Sequence, residues 1–478
     1  MLLSQYQWSM NPRGMHAEGV YRGPKSRERT LKMQMGWYKF VVAGNDAVGD
    51  VQWCIANNIT PIIRVYRPRA GAMPVDDYLR SMWELYASLG VKWFEFYNEP
   101  NLAFEWPIGA PFDYNNRAEV IGPMMSHWLD FAEIIIGLGC YPGFPALTEA
   151  ASSAESAIFW MDAMLGYLRD VQRNRFIGVL NSGMWMAAHP STLNHFYQET
   201  PGQPWRPRPP SEQRGTEGGW HFEYPYDPIC QATDPGRTVF GGTALSPYGD
   251  PNGITAMGIA FMQRLREWFN TGPVPLVGTE GGVYPLPVEH ILQPDKRYPP
   301  YDTGSHGEAT VAMFNWIVTN APPWHFGICL WKEDDYYKYN LAALFRMEQV
   351  PQLLRTRAQL DGQGISGVGP GPIHGDPNYH AVLLAPGLSS DWFFENARPY
   401  WNRFRPIVTS TWDFIRHIPN NQSLAVTVIA PPDMIKPMTD VIKTPYPNIL
   451  FDLIVARGDF SNVGNVLNAR VYSNKRFG

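Results

Sequence analysis

Trp37–Tyr66 reads WYKFVVAGNDAVGDVQWCIANNITPIIRVY, and its rhythm decides the fold. Trp37–Ala43 is a short apolar run rich in aromatic and β-branched residues, the composition of a buried strand. Asp46–Asn57 changes to a helical period, and Thr60–Tyr66 (TPIIRVY) returns to a strand. A strand, a helix and a second strand in this order imply parallel pairing through a right-handed crossover. The unit repeats outward. Val75–Leu89 sets Leu79, Met82, Trp83, Leu85 and Tyr86 on one helical stripe, Lys92–Tyr97 is the next strand, and Ala118–Leu138 a long helix. Tyr141–Leu147, Val179–Ala187, Val274–Thr279 and Phe326–Trp331 are further strands, separated by helices such as Ser156–Arg169, Ala256–Phe269 and Glu308–Thr319. With Leu2–Trp8 as the opening strand and a last helix near Tyr400–His417, eight strand–helix units fill residues 1–420. The expectation is an α/β fold, a (β/α)8 TIM barrel, with a doubly wound open sheet as the structural alternative.

Two segments interrupt the rhythm. Residues 190–240, with PGQPWRPRPP and HFEYPYDP, lack a clear period and read as a long insertion after the sixth strand that walls an active site. Residues 361–377 (DGQGISGVGPGPIHGDP) contain Gly362-x-Gly364-x-x-Gly367, formally a dinucleotide fingerprint. No strand precedes it and no helix opens after it, so it reads as a loop. Residues 421–478 form a separate small βαβα unit, from SLAVTVIA and ILFDLIVA with helical stretches after each, expected to act as structural support.

Composition narrows the function classes. The 478 residues carry a formal charge of −5 and no long basic run, which disfavours nucleic acid as a partner. No apolar stretch reaches the roughly 18 residues of a membrane span. Cys54, Cys140, Cys230 and Cys329 are scattered without a CxxC pair, which speaks against a disulfide framework or thiolate zinc site and fits a cytoplasmic protein. The opening MLLSQYQWSM lacks the features of a secretion signal, although one removed ahead of it would leave no trace. Trp and Tyr are abundant, at 18 and 24 residues, and both stack on sugar faces as readily as they fill cores.

The chemistry concentrates in two places. Trp93–Asn101, WFEFYNEPN, ends a strand in Asn98-Glu99-Pro100, and Pro100 forces the chain out of the ladder. Pro275–Gly282, PLVGTEGG, ends another apolar strand in Glu280, with two glycines that let backbone turn close around it. A lone carboxylate after an apolar strand is costly to bury without a purpose. In a barrel both would sit at the C-terminal face, where catalytic groups gather. Arg64 ends the third strand, where it holds either a carboxylate or a sugar hydroxyl. Glu333-Asp334-Asp335 reads as a solvated loop rather than a cation site.

NEP on the fourth strand with a Glu ending the seventh resembles the clan-A glycoside hydrolases, a superfamily of cellulases, β-mannanases, β-xylosidases and β-galactosidases. The resemblance covers residues 1–340, is specific at the two short motifs, and does not single out a family. It implies Glu99 as acid/base, Asn98 as a ligand of the sugar 2-hydroxyl, and Glu280 as nucleophile. It also implies Trp331 (GICLW) as the floor of the subsite holding the cleaved sugar, and His189 (WMAAHP) as a polar group there. A core Trp and a structural His are the competing readings. The implied activity is retaining hydrolysis of a β-linked oligosaccharide or polysaccharide, without metal or organic cofactor, by two carboxyls about 5–5.5 Å apart. A transglycosylase using the same residues, or a carbohydrate-binding barrel with little turnover, are the alternatives. Sugar, linkage and oligomeric state are not legible.

Overall fold

The computed structural model describes residues 1–17, 24–150, 152–192, 196–284, 296–365, 376–418, 422–443, 446, 448–458 and 460–478. They form two compact units, one spanning residues 1–364 apart from 269–271, the other built from residues 269–271 and 365–478.

The first unit is a closed barrel of eight parallel strands: β1 (Arg13–His16), β2 (Trp37–Val42), β3 (Thr60–Val65), β4 (Trp93–Glu95), β5 (Tyr141–Thr148), β6 (Trp185–His189), β7 (Leu276–Val283) and β8 (His325–Leu330). Each strand pairs with its neighbour in sequence, and β8 closes on β1 through Arg13–Ile328 and Met15–Leu330. Helices such as Asp77–Ser88, Gly122–Gly137 and Thr303–Thr319 alternate with the strands, as parallel pairing demands.

The barrel interior is layered by side chains of alternate residues. Trp37, Trp93 and Trp185 meet near the strand starts, with ring centres 5.0 and 5.3 Å apart. Below them the N-terminal segment acts as a plug. Trp8 stacks on Phe326 at 4.2 Å, and Tyr6 donates its hydroxyl to the Met184 carbonyl at 2.8 Å. Leu2–Trp8, expected as the opening strand, is therefore a 3-10 turn (Leu3–Gln5) and a cap; its aromatic residues serve the barrel floor, not a ladder. The first strand is β1. The sixth strand also lies later than expected: Arg173–Ser182 is helical, and β6 begins after the left-handed Gly183.

The insertion after β6 folds on itself. Tyr197–Thr200, Gln203–Pro207 and Trp220–His221 make a small antiparallel sheet. Tyr197, Tyr224, Cys230 and Tyr298 form a core of their own, and Phe222 packs edge-on against Trp316. These aromatic rings thus stabilise the insertion and seat it on the barrel's outer helix.

The second unit is a four-stranded parallel sheet in the order β10 (Ile407–Thr409), β9 (Tyr379–Leu384), β11 (Leu424–Ala430), β12 (Leu450–Val455). Helices Ser390–Phe404 and Ser461–Tyr472 share one core with it through Phe393, Tyr400, Val463 and Leu467. Ile442, with Met434 and Met438, belongs to a second core cluster. The units divide near residue 365 and not at 420/421, because YHAVLL (residues 379–384) is the central strand of this sheet and Tyr400 belongs to its helix. The loop reading of residues 361–377 falls largely outside the described residues, Gly367 included. No helix of the described residues is long and apolar enough to cross a membrane, and all four cysteines are buried and unpaired.

Candidate active site

Backbone conformation sets the two glutamates first. Glu99 follows β4 with φ at +34°, a sparsely populated region for a residue with a Cβ, and Pro100 prevents continuation of the strand. Asn101 fixes the loop. Wholly buried, it donates to the carbonyls of Thr148 and Glu155 at 2.8 Å each and accepts from the Thr148 amide at 3.2 Å. Glu280 lies within β7, and the glycines after it admit other backbone. A Cβ on Gly281 would collide with the Pro190 carbonyl, and Gly282 sits at φ +88°. The Gly282 amide donates to that same carbonyl at 3.0 Å, tying the end of β6 to β7.

The carboxylates of Glu99 and Glu280 and the His189 ring then converge, each offering an atom within 4.8 Å of the others. His189 Nδ1 lies 2.6 Å from Glu99 Oε1, and its Nε2 3.8 Å from Glu280 Oε1. Arg64 reaches Glu280 with Nη2 at 3.4 Å. Four of the six residues expected at the site, Glu99, His189, Glu280 and Arg64, are thus linked in one chain of contacts. Asn98 turns elsewhere, donating to Glu105 Oε1 at 2.6 Å. Trp331 borders the cluster: its amide donates to the Gly281 carbonyl at 3.0 Å, and its ring meets His16 edge-on at 4.6 Å.

Three further residues complete the cluster. Lys39, on β2 and wholly buried, places Nζ 2.7 Å from Glu95 Oε2 and 3.1 Å from Glu280 Oε1. His16, at the end of β1, has Nε2 3.4 Å from the same Glu280 oxygen. Lys39 and Glu95 stand as single charges inside WYKFVVA and WFEFY, at inward positions of otherwise apolar strands. Each charge acquires its meaning only where the barrel sets the other strand's opposite charge beside it. His16 lies outside the strands that periodicity predicts, because the first strand is Arg13–His16 and not Leu2–Trp8.

These neighbours set the charge state. Burial alone would push the Glu280 carboxyl up, but His189, Lys39 and Arg64, with the His16 hydrogen bond, hold it well below the usual carboxylate range. Glu95 is likewise buried yet depressed by Lys39, Arg64 and His189. His16 is pushed down by burial, with Glu280 opposing and Lys39 and Arg64 adding to the effect, which favours its neutral ring. Glu99, His189 and Glu280 have the donor types of a metal site. The positive charges of Lys39 and Arg64 already crowd the Glu280 oxygen a cation would need, so the set suits a carboxylate kept as an anion by protein cations better than a metal.

Fold and site together define a (β/α)8-barrel protein with paired carboxyls at the strands' C-terminal ends. No family model and no curated protein matches the chain. Among solved structures it is similar to a curdlan-specific exo-β-1,3-glucanase of family GH128 from Blastomyces gilchristii, at 11% identity and a TM-score of 0.36, over 71% of this chain and 98% of that one. It is also similar to an exo-β-1,4-mannosidase from Opitutaceae bacterium strain TAV5, at 10% identity and a TM-score of 0.30, over 91% and 75% of the two chains. A GH1 β-glucosidase from Exiguobacterium antarcticum B7 aligns at 11% identity and a TM-score of 0.30, over 65% and 77%. Likenesses this distant do not define the chemistry of the present chain, which has to be read from its own side chains.

The acidic run after β8 departs from expectation. Glu333, Asp334 and Asp335 open the helix Glu333–Tyr339, where acidic groups suit the amide-rich helix start. Glu333 itself is buried and accepts from Ser26 and Tyr38 hydroxyls at 2.6 Å each, so it is a structural anchor and not solvated.

Proposed function

We propose that the protein is a retaining glycoside hydrolase acting on β-linked sugars, with Glu280 as nucleophile and Glu99 as acid/base. The observation that carries the reading is the pairing of two carboxyls within 4.8 Å, one of them held ionised by Lys39, Arg64 and the two histidines. Retaining enzymes keep their carboxyls about 5–5.5 Å apart, whereas inverting ones leave roughly 6.5–9.5 Å for a water between them. Glu280 attacks the anomeric carbon while Glu99 gives its proton to the departing glycosidic oxygen, leaving a glycosyl ester on Glu280. Water then attacks the same carbon, surrenders a proton to Glu99, and the ester bond breaks to return Glu280 as carboxylate. His189, 2.6 Å from Glu99, orients the acid/base. Arg64 and Trp331 frame the sugar, and Asn98, now bonded to Glu105, meets the 2-hydroxyl on exchanging that partner.

The two glutamates should fail differently. Glu280→Ala removes the nucleophile, and azide entering the vacated space should yield a glycosyl azide of inverted configuration. Glu99→Ala keeps the nucleophile, so activated aryl glycosides should still form the ester, and azide should rescue the second step with overall retention. Acid catalysis is worth about 10²–10⁴-fold, so substrates with poor leaving groups should lose most in Glu99→Ala. The same azide configuration from both variants would contradict the roles.

A further inference from the structure

Beside the catalytic carboxyls lies a cavity of about 330 Å³, lined by Arg64, Arg67, Arg69, Asn98, Phe104 and Glu105. Three arginines and one glutamate thus line it, with Arg64 also paired to Glu280 and Arg67 to Asp76. Arg64 is only 8% exposed; its Nη2 serves Glu280, but its Nη1 is buried without a hydrogen-bond partner among the described residues. Arg67 turns Nη2 to Asp76 at 2.8 Å and leaves a buried Nε unpartnered as well. Arg69 is exposed at the rim. Buried guanidinium N–H groups without acceptors are costly, and a ligand that supplies oxygen acceptors removes that cost. The planar fork of Arg suits carboxylate and sulfate oxygens better than a single hydroxyl. Phe104, 62% exposed, offers a flat apolar face against which a sugar ring can lie.

We infer that this cavity is a subsite for an anionic sugar, a uronic acid or a sulfated sugar, whose acidic group is received by Arg64 with Arg69 at the entrance. The inference rests on the glycosidase reading for what happens to that sugar, and on the cavity alone for its binding. A carboxylate or sulfate there draws Arg64 Nη1, which protein otherwise encloses, toward the cavity while Nη2 stays on Glu280, so binding and nucleophile orientation share one side chain.

Calorimetry on the full-length protein at low salt, with D-glucuronate, D-glucose 6-sulfate and D-glucose as probes, tests it. At least one anion should bind roughly tenfold tighter than glucose, and the preference should shrink in about 0.5 M salt. A preference for glucuronate would assign a carboxylate sugar, one for the sulfate a sulfated sugar. Equal affinity for all three, or a preference for glucose, would overturn the subsite. Arg69→Met, at an exposed position that does not endanger folding, should weaken the preferred anion several-fold and leave glucose unchanged. Arg64→Gln, with its fold checked by circular dichroism, should weaken it further. Unaltered anion binding in both variants would place the anion elsewhere and end the proposal. Turnover is read separately, on 4-nitrophenyl β-D-glucuronide and β-D-glucoside. Anion binding with cleavage of neither would count against the glycosidase reading alone, whereas cleavage without anion preference would count against the subsite alone.

Discussion

At the residue scale, Glu280 depends on a lysine that the barrel wholly encloses. Lys39 pairs with Glu95 and Glu280 at 2.7 and 3.1 Å, with Arg64 as the second cation, and taking these charges out of water is tolerable only because they compensate one another. The pH profile should report this directly. In the proposed mechanism Glu280 must be ionised to attack, and its carboxyl is held well below the usual range by His189, Lys39 and Arg64 against the effect of burial. The acid limb of kcat/KM should therefore lie below pH 4.5, the ordinary value of a glutamate. Lys39→Met removes one stabilising cation, so the limb should move to higher pH. The same change leaves Glu95 buried without its partner and should cost about 3–5 kcal/mol of stability. A limb that stays in place in the variant would show that Lys39 does not govern the nucleophile. Much at this scale was legible in the sequence: NEP and TEGG mark strand ends by a carboxylate beside a chain-turning residue. The partners Lys39 and Glu95 were not, because one inward charge in an apolar strand acquires meaning only when another strand supplies its opposite.

At the element scale, β7 and the end of β6 are locked through backbone. Gly282 donates to the Pro190 carbonyl at 3.0 Å, and Ser191–Thr192 pairs with Gly282–Val283. Gly281 has no room for a Cβ because that carbonyl occupies the space, and neither partner is a flexible side chain that could yield. Gly281→Ala should displace Glu280 relative to Glu99. A displacement near 1 Å can cost about 10²-fold in rate, and overpacking typically costs 1–3 kcal/mol. Steady-state kinetics and a thermal melt of the variant check both, and wild-type kcat with wild-type Tm would refute the lock. Periodicity located most strands correctly, since β2, β3, β5 and β8 are apolar runs between helical segments. It erred where aromatic residues do other work: Tyr6 and Trp8 mimic a strand while plugging the barrel.

At the scale of the whole molecule, the eight-strand barrel brings groups from six strands and one strand-end loop to one place. His16, Lys39, Arg64, Glu95, Glu99, His189 and Glu280 are separated by up to 264 residues in sequence, 280 less 16, yet share one hydrogen-bonded and ion-paired cluster. The unit boundary was the least legible feature. Tyr379–Leu384 resembles any buried strand, and only its pairing with Leu424–Ala430 assigns it to the second sheet. The central claim, that Glu280 becomes covalently glycosylated, can be measured directly. A 2-deoxy-2-fluoro β-glycoside with a reactive leaving group slows the second step and lets the ester accumulate. Peptide mass spectrometry of the inactivated protein should find one fluoroglycosyl group on the peptide carrying Glu280, absent from Glu280→Ala. A label on any other residue, or turnover to an inverted product with no adduct at all, would contradict the account.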